Sequence, residues 1–394
     1  MSGEFDFRAL LLKIQDLLSD NDRHRFLFLL GEDVPRYLRD DSSLSGTLRV
    51  LESLFEKAII SDQDCAYLIK AFKKIHCNDA AKRLQVPPLR ASSIDIRSNA
   101  EWAPNGITVA GGNEYGNGIH QLNYPKGLYV DDDQTIYVAD VHNDRIVEWK
   151  SGATNGQIVA GGNKGEDGAN QLRFPFDVIV NKERDSLIIC DTLNNRVVRW
   201  PRQDDTRGET IISNIRPIGL TMDENGFVYV VDEEKNEVRR YRVGDTKGTV
   251  VAGGNGKGDR FDQLSHPQYV FVDRNHSVYV SEFENHRVVK WKKGAKQGIV
   301  VAGGQGPGNG LTQLNEPRGI VVDQLGTVYV ADCHNHRIMR WPKGATQGSI
   351  IAGGNGQGKK SNQLYHPWGL SFDRHGNLYV TDHDNHRVQK FNIK

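Results

Sequence analysis

The side chains able to do chemistry are concentrated in one recurring string. Its fullest copy, Tyr329–Trp341 (YVADCHNHRIMRW), sets a carboxylate (Asp332), a thiol (Cys333), two imidazoles (His334, His336) and a guanidinium (Arg337) side by side. Related strings put His286 and His386 at the position of His336, and His266 and His366 each stand directly before a proline. Imidazoles in this number raise metal chemistry first, which requires ligands converging within about 2.0–2.2 Å of one ion. A cysteine nucleophile needs a basic activator, and Cys333 has only His334 and His336 beside it in the chain. A carboxylate five residues before an arginine makes a different offer, a strong charge-assisted hydrogen bond across a turn. Which chemistry applies depends on where the chain sets the copies relative to one another.

The copies are periodic. Their acidic anchors are Asp140, Asp191, Asp232, Glu282, Asp332 and Asp382, with successive spacings of 51, 41, 50, 50 and 50 residues. A fixed period of this length marks a repeat architecture. Each copy reads as four short strands. In the fifth, Gly319–Asp323 is an apolar inner strand led in by Pro317, followed by strands at 327–332, 337–341 and 349–353. The nearly continuous apolar character of the first strand suits the centre of a closed ring, and the alternation in the later ones suits a face turned to the neighbouring unit. Leading prolines recur at 125, 175, 217, 267, 317 and 367. Residues 106–394 are therefore predicted to form an all-β six-bladed propeller. The last copy stops after its third strand, and 107–110 is an orphan strand, expected to complete that blade and close the ring.

Within this ring the pairs Asp140–Arg145, Asp191–Arg196, Asp332–Arg337 and Asp382–Arg387 are predicted to be framework anchors flanking a tight turn, with the intervening Asn supplying a positive φ. Recurrence in five of the six copies speaks for structure and against repeated active sites. The third copy departs: Lys235, Asn236 and Glu237 replace Asn-x-Arg, and Ser213–Pro217 stands where others carry a Gly-rich insertion such as 111–125. The insertions carry Gln-Leu pairs (121–122, 171–172, 263–264, 313–314, 363–364) expected to pin them. They share a face with the anchor turns, and that face is the expected recognition surface. Equivalent histidines on neighbouring blades lie several strand spacings of ~4.8 Å apart, so they are expected to face solvent, with no metal and no other cofactor. These strings resemble NHL repeats across residues 106–394. Propellers similar to this include some with a catalytic metal at the channel mouth and some that bind single-stranded RNA on a basic face.

Residues 1–86 have helical periodicity. Phe7, Leu10, Leu11, Ile14, Leu17 and Leu18 fall on one face, Ser19 with Asp22 forms an N-cap signature, and Leu44, Leu48, Leu51, Leu54 and Phe55 mark a further amphipathic segment. Six short helices in a compact bundle are expected. Phe26–Leu30 is a run of five apolar residues, which sweeps a whole helix circumference, so at least one large side chain should be exposed. With FLFLLGEDVPRYL (26–38), VLESLFEKAIIS (50–61) and IHCNDAAKRL (75–84), this segment resembles a death effector domain of the death-fold superfamily. The resemblance implies partner contact through Phe28 and Leu29, and a charge triad in which Asp22 and Asp79 take part. The family's Arg is replaced by Cys77 in this triad. It further implies homotypic assembly, with no catalysis, with initiator-caspase-like or adaptor proteins in apoptotic or innate immune signalling. Val86-Pro87-Pro88 ends the helical pattern, and 87–105 reads as a tether.

Composition agrees with a balanced protein. Lys plus Arg and Asp plus Glu are each 50, and the balance holds within residues 1–100 and within the remainder, which argues against a polyanion binder. Four scattered cysteines without a CxxC pair, no signal-like leader and no long apolar run predict a cytoplasmic protein. The sequence-based expectation is a non-enzymatic adaptor whose propeller binds a protein or ligand, with a metal-dependent propeller lyase or hydrolase as the alternative and RNA binding third.

Overall fold

The structure is a computed structural model that describes residues 18–30, 40, 43–56, 68, 71–72, 74, 76–77, 96–162, 168–202, 207–242, 244–245 and 247–394. The chain divides into two compact units, Met1–Pro87 and Pro88–Lys394.

In the first unit, helix α1 (Asp20–Leu29) opens on the capping box foreseen from Ser19. The Ser19 hydroxyl accepts the Asp22 N–H at 3.2 Å, and the Asp22 carboxylate accepts the Ser19 N–H at 3.2 Å. Phe26, Leu27 and Leu30 are buried, with Phe26 against Phe72 at 4.8 Å between ring centroids. Helix α2 (Leu44–Glu56) buries Val50, Leu51 and Leu54. These two are the continuous α-helices among the described residues, and Leu68, Ala71, Phe72 and Lys74 are also helical, so a six-helix death-fold bundle is not seen there. Asp79 lies outside the described residues, as do residues 7–17 of the expected first helix and most positions of the expected third, fifth and sixth helices.

The second unit is built from six four-stranded antiparallel sheets. Five of them take four consecutive strands, and the sixth pairs Ile107–Gly111 with Arg387–Phe391, so the ring closes by joining its two ends within one blade. Closure removes the open edge that a strand-by-strand array would leave. The aromatic ending each third strand (Trp149, Trp200, Tyr241, Trp291, Trp341, Phe391) is buried between blades. The predicted tether is shorter than the sequence suggests. Ile96, Ala100 and Trp102 are buried in the propeller core, and the Trp102 indole N–H donates to the Gly376 carbonyl at 2.9 Å. The polarity of this stretch conceals the three apolar side chains that dock it.

Candidate functional site at the channel mouth

The anchor turns fix the face on which the site lies. In blade five the Asp332 carboxylate accepts Arg337 Nε at 2.7 Å, Asn335 Nδ2 at 2.9 Å and the Asn315 N–H at 2.7 Å. Arg337 spends its other donors on the carbonyls of Asn309 (2.8 Å) and Gly310 (3.1 Å) in the preceding insertion. Asp140–Arg145, Asp191–Arg196, Glu282–Arg287 and Asp382–Arg387 repeat this arrangement. The Gln-Leu pairs pin the loops: Leu122, Leu172, Leu264, Leu314 and Leu364 are buried, and Gln121 Nε2 donates to the Asn113 carbonyl at 2.9 Å.

Two details differ from the sequence reading. The positive φ falls on the residue after the Asn, as at Asp144, Asn195 and His336, because the Asn closes a 3-10 turn and the next residue is its left-handed C-cap. The turn histidines, moreover, do not simply face solvent. Nδ1 of His286, His336 and His386 accepts the backbone N–H of Glu316, His366 and Tyr124 in the next blade, at 3.1, 3.3 and 3.2 Å. They are blade-to-blade latches. Asp144 and Asn236 do the same for Phe174 and His266.

Inside this ring of turns, the residues after the leading prolines form a floor. Lys126 Nζ lies 3.4 Å from the Phe176 ring centroid and 4.3 Å from that of Trp368. The Arg318 guanidinium sits 4.1 Å over Trp368 and 4.3 Å over Phe283, and Arg318 also donates to Gln268 Oε1. Five blades thus contribute to one connected arc. The inner strands approach closely because Gly369 carries no side chain; a Cβ there would lie 2.5 Å from the Lys126 carbonyl oxygen. That oxygen accepts the Thr381 hydroxyl at 2.6 Å, which fixes the backbone under Lys126.

A rim of imidazoles and aromatic rings surrounds the floor. His383 stacks on Trp368 at 4.8 Å, Tyr124 meets His142 at 4.6 Å and His383 at 5.0 Å, and His334 stacks on His366 at 4.7 Å. Asp384 bridges His366 (2.5 Å) and His383 (2.7 Å), while Glu316 takes His334 Nε2 at 2.8 Å. Burial, helped by the neighbouring Arg318, pushes the Lys126 ammonium down to about 7. Burial also takes His383 down to about 4, although Asp384 works against it. Asp384 itself is pushed up by burial, but the His383 and His366 hydrogen bonds win and hold it below the ordinary carboxylate range. Burial pushes the Cys333 thiol up to about 12 against the pull of Arg318, which keeps it in the protonated form at neutral pH.

The histidines singled out in the sequence are brought to this mouth, yet among the described residues no three His, Cys, Asp or Glu side chains are placed to hold one metal ion. Lys126, Arg318 and Trp368 escape the sequence reading. The apolar run begins at Gly319, whereas the strand begins at Pro317, so the side chain directly after the proline lies ahead of the run that marks the strand. A bulky or charged residue directly after each leading proline is the signal that identifies them. Asp22 and Phe28 lie in α1: the Asp22 carboxylate is engaged by the cap, Phe28 is exposed and Leu29 half-buried.

The comparisons agree on the architecture. Residues 122–149, 314–340 and 364–391 match the NHL repeat, so the propeller carries NHL repeats. Among solved structures, an auxiliary nutrient binding protein from Bacteroides thetaiotaomicron is similar with a TM-score of 0.59 and 16% identity, covering 75% of this chain and 77% of its own. A protein of the same description from Bacteroides ovatus gives 0.58 and 15%, covering 75% and 78%. A gluconolactonase from Xanthomonas campestris gives 0.54 and 13%, covering 78% and 95%. At these identities the likeness is one of fold. No curated protein sequence matches the chain significantly. Among the described residues no helix is long and apolar enough to cross a membrane.

Proposed function

We propose that this chain is a non-enzymatic binding protein of the adaptor kind. Its propeller takes a partner or ligand at the channel mouth, and its N-terminal unit makes death-effector-type contacts through Phe28 and Leu29. The observation that carries the reading is Phe28, which is 89% exposed although Phe26 and Leu27 beside it on α1 are fully buried. A phenyl ring held in water next to a half-buried leucine is the kind of apolar surface that a protein partner covers. The expected partners are other death-effector-domain proteins, initiator-caspase-like or adaptor in type, and the expected setting is apoptotic or innate immune signalling in the cytoplasm. The metal-dependent lyase or hydrolase alternative draws no support from the placement of the mouth's imidazoles. RNA binding draws none from a mouth that mixes Lys126 and Arg318 with Glu316 and Asp384.

The test is the full-length chain with Phe28→Asp, followed by light scattering alone and with a purified death effector domain. Loss of assembly with an unchanged thermal transition is expected, because an exposed side chain contributes little to the fold. Assembly that survives the substitution would remove Phe28 from the contact and this reading with it.

A further inference from the structure

The charged groups of the propeller face fall into two classes. The arginines of the anchor turns are bonded on every side, as Arg337 is by Asp332, Asn309 and Gly310. Lys126 is different. Among the described residues no carboxylate lies within ion-pair distance of it, and its ammonium meets only the Phe176 and Trp368 rings. The carboxylates of the mouth are already engaged: Asp384 by His366 and His383, Glu316 by His334, Glu233 by Arg216 and Glu284 by Lys257. Arg318 shares the same indole as Lys126, 4.1 Å from the ring, and its nearest carboxylate contact is Glu316 at 3.7 Å. Two buried N–H donors on this floor, Arg318 Nε and Trp368 Nε1, have no acceptor.

We propose that the channel mouth is a binding site for a small organic anion, whose carboxylate or phosphate head is held by Lys126 and Arg318 while its body packs on Phe176, Phe283 and Trp368. This names the ligand class for the mouth and rests on the docking reading for the propeller alone. Two like charges over one ring, each with donors to spare, are short of an oxyanion. Charges taken out of water are tolerated when paired and are costly when left alone, and orphaned buried donors call for an acceptor. The aromatic walls select an organic body over a bare inorganic ion, since a hydrated ion gains nothing from them. Thr381 and the close approach at Gly369 fix the Lys126 backbone before any ligand arrives, so little ordering remains at binding.

The experiment is calorimetric titration of the full-length protein with benzoate, phenyl phosphate and inorganic phosphate, against chloride at matched ionic strength. Benzoate and phenyl phosphate are expected to bind at least about ten-fold more tightly than inorganic phosphate, and their ratio says which head the site prefers. Lys126→Met should weaken both by about ten-fold or more, and because it removes an unpaired charge it should leave the ligand-free melting temperature unchanged or higher. A second readout needs no variant: acylation of Lys126 in the wild-type chain, followed by mass spectrometry, should be slowed by benzoate. Binding no stronger than the chloride control, full affinity in Lys126→Met, or acylation indifferent to all three probes would each overturn the proposal. None of these results bears on assembly through Phe28, so the two readings fail separately.

Discussion

Blade three and blade five have the same four-stranded sheet and buried inner strands, but they differ on the loop face. Blade five has a long Gly-rich insertion before its first strand and Arg337 at its turn; blade three has neither, with Ser213–Arg216 as connector and Glu237 in place of the arginine. The two losses belong together. Each arginine donates to carbonyls of the insertion that precedes its own blade: Arg145 to Asn117, Arg196 to Gly168, Arg287 to Asp259, Arg337 to Asn309 and Arg387 to Lys359. Where there is no insertion to hold, the arginine has no task, and Glu237 turns to Arg239 instead. The recurring turn is thus a loop clamp, and the sheet itself depends on its apolar strands.

The largest effect should come from breaking the clamp where it works. Arg337→Ala leaves Asp332 buried without its cation and frees the carbonyls of the insertion, a loss of about 3–5 kcal/mol in denaturant melts. Hydrogen exchange should rise in residues 304–316 more than in the strands. A cost below about half a kcal/mol would show that the pair does not hold the blade together.

Replacing residues 304–316 by the Ser213–Arg216 connector sharpens the comparison. With the insertion gone, Arg337→Ala should cost less than in the parent chain, and a double-mutant cycle should give a coupling of about 0.5–3 kcal/mol. Simple additivity would mean that arginine and loop are independent, and the shared losses in blade three a coincidence.

Much of this was legible in the sequence because the propeller is specified by repetition. The anchors at Asp140 to Asp382, the leading prolines and the closing strand at 107 all follow from period and polarity. What was not legible depends on proximity between blades. Nothing local in His336 says that its Nδ1 meets the N–H of His366, and nothing in Lys126 says that Trp368 lies over it, since these partners are brought together only when the ring closes. Ile96, Ala100 and Trp102 are apolar residues isolated in a polar stretch, too few for any period to reveal. In the first unit, the capping box of α1 was readable from Ser19 and Asp22 alone because such caps are local.

The latches set up a contrast in pH response. His286, His336 and His386 accept through Nδ1, and protonation there removes the acceptor. Burial holds all three below the ordinary imidazole value, with charges nearby adjusting the shift. In the unfolded chain they take up protons near pH 6.5. Between that pH and the folded values the unfolded state binds more protons, so stability is full above about 6.5 and falls as the solution is acidified. His383, held at about 4 by burial, extends the loss to that pH. Blade three already uses a latch with no proton to gain, Asn236, bonded to the His266 N–H at 2.9 Å. Changing His286, His336 and His386 to Asn should therefore flatten the fall in denaturation midpoint between pH 6.5 and 4 while sparing the midpoint at pH 8. An unchanged slope would mean that the latches do not titrate with unfolding.

The smallest effect is expected at blade three's own turn. Lys235 Nζ lies 3.2 Å from Asp232, but its side chain is half exposed, and it reaches no insertion carbonyl. An ion pair in that position is screened by water and contributes at most about 1 kcal/mol. Lys235→Ala should therefore shift the melt by no more than that, even though Asp232 is as thoroughly buried as Asp332. If burial of the carboxylate alone set the cost of losing its cation, Lys235→Ala would be as damaging as Arg337→Ala. A small shift beside a large one places the difference in what the arginine holds, the loop before its blade.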